Sequence, residues 1–128
     1  MVLSHEDDES AHPYWYARII GIFHVDVRHT GPDSRSMDTQ SMEFLWVRWF
    51  GYDIHHCAGW ATRRLHRVGF IPSDDVGAFG FLDPKDVIRG VHLIPAFAHG
   101  RTDELLPLSI ARQPKDHDRD WVYYYVMM

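Results

Sequence analysis

Cysteine is nearly absent. Cys57 stands alone in 128 residues, which excludes an internal disulfide framework and a cysteine-based zinc finger. Lysine is almost as scarce: of the 13 basic side chains 11 are arginine, and only Lys85 and Lys115 are lysine. Arginine is the cation suited to planar pairing with carboxylates or phosphates and to stacking on rings. No apolar run approaches bilayer length, because Arg18, Arg48 and Arg89 interrupt the best candidates. The opening residues are acidic where a signal or transit peptide is basic and then apolar. G-x-S-x-G, G-x-G-x-x-G, P-loop and H-E-x-x-H signatures are all missing. These absences leave an intracellular domain with no membrane partner and no familiar catalytic motif.

Present instead are 45% hydrophobic and 14% aromatic residues, a globular composition in a chain of single-domain length. The net charge of -5 argues against nucleic-acid binding by charge over the whole surface. That charge is unevenly placed. Residues 1–13 carry -4, residues 14–72 carry +2 and residues 73–128 carry -3. Residues 1–13 therefore read as an acidic flexible tail, and residues 14–128 as one β-rich domain.

Strand signals dominate that domain. Over residues 14–29, Trp15, Ala17, Ile19, Gly21, Phe23, Val25 and Val27 alternate with a mixed set, predicting a long strand with one buried face and a bend at Gly21. Residues 42–51 predict its antiparallel partner, with Leu45, Val47 and Trp49 on one face and Phe44, Trp46 and Arg48 on the other. Residues 62–71 predict a third strand ended by Pro72. Asp83-Pro84-Lys85-Asp86 has the form of a capped helix start, closed by Gly90. Residues 91–97 and 121–128 complete five strands, the last one free to self-associate. A small, partly open β-barrel with one short helical turn is the expected architecture.

Ten histidines raise the question of metal. His55, His56 and Cys57 adjoin, but no second pair stands at zinc-site spacing, and His24 with Asp26 is an isolated pair on one strand face. No metal or cofactor is expected. Asp74, Asp75, Asp83 and Asp86 occupy turn and cap positions that need acids locally, and Cys57 beside histidines lacks the arrangement of a nucleophile. The chain is therefore not expected to be an enzyme. Aromatic walls beside an acid can hold a cationic side chain, and Tyr16, Trp46, Tyr52 and Trp60 with Asp53 are the candidate peptide-binding set. Arg63, Arg64 and Arg67, with His66, form the one basic cluster. On a strand Arg63 and Arg67 would share a face able to contact phosphate.

Two resemblances follow from longer strings. HPYWYARIIGIFHVDVRHTGP, MEFLWVRWFG, VGFIP, AFGFLDPKDVIRGVHLIPAFAHGRTDELL and DWVYYYV resemble a segment of proteins encoded by Plavaka-type transposons of mushroom-forming fungi. In that family the segment lies near the C-terminus of a very large protein, downstream of a nuclease-like region, which implies that this chain is part of something longer. The order of a Y-x-x-R-I-I-x-I-F strand, a W-V-R-W-F strand, an R-x-L-H-R-V-G-F strand, a D-V-I-R-G-V-H-L turn and strand, and a closing D-W-x-Y-Y-Y is similar to bromo-adjacent homology (BAH) domains. Those are β-barrel chromatin modules. The resemblance implies a nuclear, non-catalytic module that binds a histone tail or another peptide. DNA binding through Arg63, Arg64 and Arg67, and self-association, are the alternatives.

Overall fold

The computed structural model describes residues 1–4, 12–27, 40–59, 61–112 and 114–127. Among these residues ten strands carry the fold: β1 (Val2–Leu3), β2 (Tyr14–Trp15), β3 (Ala17–Val27), β4 (Gln40–Tyr52), β5 (Arg67–Phe70), β6 (Phe79–Leu82), β7 (His92–Pro95), β8 (Arg101–Thr102), β9 (Asp120–Trp121) and β10 (Tyr124–Met127). Helical structure among the described residues is confined to three single 3-10 turns, at Pro84–Asp86, Phe97–His99 and Pro114–Asp116. The protein is mainly β.

One strand organises the rest. β4 is antiparallel to β3 over residues 40–49, while its other edge is shared. Leu45 to Arg48 pair with β6, and Phe50 to Tyr52 pair with β5. The main sheet then runs β3-β4-β5-β10-β7. Both outer strands lack a further partner among the described residues, so this sheet does not close into the expected barrel. β10 is not free either; it is an interior strand between β5 and β7.

The first residues are part of the fold rather than a tail. β1 pairs with β2, Val2 is buried, and the Met1 carbonyl accepts a hydrogen bond from Ile88 N–H. The acidic run Glu6 to Glu9 lies outside the described residues. The third expected strand is short, because Ala61 to Arg63 form a turn in which Arg63 has φ 53°. Asp83 caps the Pro84–Asp86 turn as its sequence predicts, accepting from Lys85 N–H at 2.9 Å. That turn ends at Val87, ahead of Gly90.

The core gathers Tyr16, Phe50, Val68, Phe70, Tyr124 and Val126. Phe50 stacks on Phe70 at 4.2 Å, and Tyr124 meets both edge-on. Full burial of each large side chain contributes roughly 1.5–3 kcal/mol. Against this core lies a buried charge cluster that the sequence pattern does not anticipate. Arg48 donates to both carboxylate oxygens of Asp120 at 2.8 and 3.0 Å, and Arg112 donates to the same two at 3.2 and 3.0 Å. The Arg48 guanidinium lies 3.8 Å from the Phe70 ring centre. Arg112 also donates to the carbonyls of Pro107 and Leu106, which holds the 106–112 loop onto the sheet.

The distal half of β3 overturns the expected buried face. A bulge between Ile19 and Gly21 shifts the register at the predicted bend. Beyond it Ile22, Phe23 and Val25, from both faces, are exposed. A bulge inserts an unopposed residue and so exchanges the two faces. Beyond it, β3 is an outer strand without a covering layer among the described residues.

Candidate functional site

A cleft of about 510 Å³ opens where β4 and β5 end. Its floor is made by two glycines: Gly51 and Gly69 are register partners, and both line the cleft. The residue at 69 is fixed by close approach. A Cβ there would stand 2.7 Å from the Val122 carbonyl oxygen and 3.4 Å from the Tyr123 ring, so only glycine lets the chain cross β5 at this point. Tyr52, Phe70, Ile71, Leu105 and Tyr123 line it, with Asp53 and Glu104 as the acids.

The two acids are not equivalent. Asp53 is committed within the protein: its Oδ2 accepts from Arg67 Nη2 at 2.6 Å and Nε at 2.8 Å, and its Oδ1 accepts from His55 N–H at 3.0 Å. Burial opposes its charge, but the Arg67 hydrogen bonds, the His55 amide and the Arg67 charge outweigh that. The carboxyl is held below its ordinary value. Glu104 is exposed, and among the described residues it enters no ion pair. Its backbone N–H is anchored on Thr102 Oγ1 at 3.2 Å.

Behind the cleft, Tyr52 ties the N-terminal segment to the sheet. Its hydroxyl donates to the Tyr14 carbonyl at 2.7 Å and lies 2.6 Å from His12 Nδ1. The His12 ring stacks on Tyr52 and meets His66 edge-on, each at 4.3 Å. Burial, and next the charge of His66, lower the proton affinity of His12; burial, and next the charge of His56, lower that of His66. Burial pushes the Tyr52 phenol well above its ordinary range.

Of the five expected peptide-binding residues, Tyr52 and Asp53 line this cleft. Tyr16 is only 2% exposed and belongs to the core, so it is no wall for a ligand. Trp46 lies six residues back along β4, roughly 20 Å away at the rise of a strand, where it packs near Phe79 at 6.1 Å. Trp60 is outside the described residues. The arginines are not brought together on one strand face. Arg63 and Arg64 are exposed in a turn, Arg64 bridging to Gly59, while Arg67 on β5 is taken by Asp53 and lies 4.7 Å from the Tyr123 ring centre. Among the described residues no three His, Cys, Asp or Glu side chains gather at metal-binding distance. No helix of the described residues is long and apolar enough to cross a membrane.

Sequence reasoning missed Phe70, Glu104, Leu105 and Tyr123 as companions of Tyr52. The one local signal is the pair of glycines interrupting otherwise apolar strands, which marks a close approach without saying of what. Comparison with protein-family models, with curated proteins and with solved structures found no match.

Proposed function

We propose that the chain is a non-catalytic peptide-binding module whose cleft takes a basic segment, a histone tail being the fitting class. The observation that carries this reading is the pairing of an open, mainly apolar cleft with an acid at its rim, Glu104, that enters no ion pair among the described residues. The Tyr123 ring, with Ile71 and Leu105, offers apolar surface to an alkyl-ammonium or guanidinium group, and Glu104 offers the countercharge. The resemblance of its sequence strings to BAH domains and to Plavaka-type segments is what supports a role on chromatin in the nucleus. DNA binding is the weaker alternative, since Arg67 spends its charge on Asp53.

Fluorescence anisotropy with unmodified and lysine-methylated histone-tail peptides tests the reading. Binding is expected to fall about tenfold in Glu104→Gln, the scale of one lost hydrogen bond to a charged group. Trp46→Ala should leave it unchanged. Failure of every basic peptide to bind, or equal binding by Glu104→Gln, overturns the proposal. Salt-dependent binding of duplex DNA lost in Arg63→Ala with Arg64→Ala would instead favour the nucleic-acid reading.

A further inference from the structure

The outer edge of β3 is a long strand edge with few of the usual guards. Among the described residues β3 pairs with β4 alone along 11 residues. The other strands with an open edge on this sheet system, β6 and β7, run four residues each, and β7 ends in Pro95. Natural edges are blunted by shortness, lysine, proline or a bulge. The bulge of β3 comes near its start, and residues 21–27 beyond it contain neither lysine nor proline.

Register assigns the two faces of this half. Gly21, Phe23 and Val25 oppose Trp46, Phe44 and Met42, and Trp46 in turn opposes Phe81. This face carries no charge at these positions, and Phe23, Met42 and Phe81 are 42, 52 and 69% exposed. The other face holds Ile22, His24 and Asp26, opposite Leu45, Glu43 and Ser41. There the His24 ring lies 2.7 Å from Ser41 Oγ and 3.5 Å from Glu43.

We infer that this edge joins two copies of the chain, β3 to β3, antiparallel about a two-fold axis at Val25. The side-chain order selects that axis. Centred on Val25, each His24 faces Asp26 of the second copy, so an imidazole meets a carboxylate twice, and Val25 meets Val25. Centred on His24, two imidazoles would meet and Ile22 would face Asp26. Centred on Phe23, Ile22 would face His24. Of these three axes, the one at Val25 alone sets an imidazole opposite a carboxylate, the kind of complementary cross-strand pair that stabilises a sheet. It also makes the two uncharged aromatic faces continuous across the axis, an isologous interface.

Sedimentation of the full chain from about 1 to about 300 µM tests this, because association is governed by concentration. The chain is expected to pass from 15.0 kDa to twice that mass. Val25→Lys sets two ammonium groups across the axis and should move the transition at least about tenfold higher in concentration. Val25→Cys in a Cys57→Ser background should cross-link readily under mild oxidation, whereas Phe23→Cys in that background should not. If Val25→Lys does not fold, cross-linking through Val25→Cys decides between dimer and monomer. A chain monomeric throughout the range, or Val25→Lys dimerising like the parent, overturns the interface. Phe23→Cys cross-linking as readily as Val25→Cys overturns the axis.

Discussion

The two ends of β4 invert the usual relation between polarity and burial. At its C-terminal end, around residues 48–52, the protein buries two arginines and an aspartate. At its N-terminal end, around residues 41–46, it leaves Met42 in solvent on one face with Phe23, and Ile22 in solvent on the other. The difference lies in what covers each half. β5, β10 and the 106–112 loop close over the C-terminal half, and Arg48 is tolerated there because Asp120 and Phe70 receive its guanidinium. The distal half is a three-stranded ribbon of β3, β4 and β6, and nothing among the described residues covers its aromatic face. Position in the layers, not side-chain type, decides burial in this protein.

The largest test of that contrast is Asp120→Ala. It strands two buried guanidiniums and should cost about 3–5 kcal/mol in urea unfolding. Arg48→Met should cost less than half as much, because it keeps apolar contact with Phe70 and leaves Asp120 and Arg112 as a one-to-one pair. Arg48 Nε already lacks a hydrogen-bond partner among the described residues.

Gly69→Ala comes next. The new methyl must displace the Val122 carbonyl or the Tyr123 ring, at a cost of about 1–3 kcal/mol typical of overpacking. It should also reshape the cleft, lowering peptide affinity more than Gly51→Ala, whose Cβ would meet only Ile71 at an ordinary 3.6 Å.

Acid should dismantle the covered half in two stages. His12 and His66 bind protons less readily when folded. Their contribution is complete above about pH 6.5, the ordinary imidazole value, and is lost as the pH falls through their lower folded values. Asp53 and Asp120 are held below the carboxylate range, Asp120 because the hydrogen bonds and charges of Arg48 and Arg112 outweigh its burial. Their contribution is complete above about pH 4 and is lost as the pH falls further. Thermal unfolding followed from pH 8 to pH 3 should show both declines, and His66→Asn should shrink the first alone.

The smallest stability effects belong to the uncovered half. Ile22→Thr and Phe81→Ser should change unfolding free energy by no more than about 0.5 kcal/mol. Larger losses at low protein concentration would mean that this ribbon is covered after all.

Much of the strand plan was legible because its signals are local. The alternation in residues 42–51 marks β4, and the polar segment before it marks an antiparallel return. Asp83 and Pro84 announce their turn, and Gly21 marks the bend where the bulge falls. The candidate site was legible only in Tyr52 and Asp53. Trp46 was grouped with them because an aromatic elsewhere on a strand and a cleft aromatic look alike in one dimension.

By itself the sequence determined a mainly β chain, since backbone geometry answers to the period of side chains along a few residues. Tertiary structure alone decided that β10 lies inside the sheet and that the chain start docks on it. It alone set Arg67 against Asp53 and Arg48 against Asp120. Those outcomes join residues 14 and 72 positions apart, and a charge does not reveal its partner until the sheet order brings the two together.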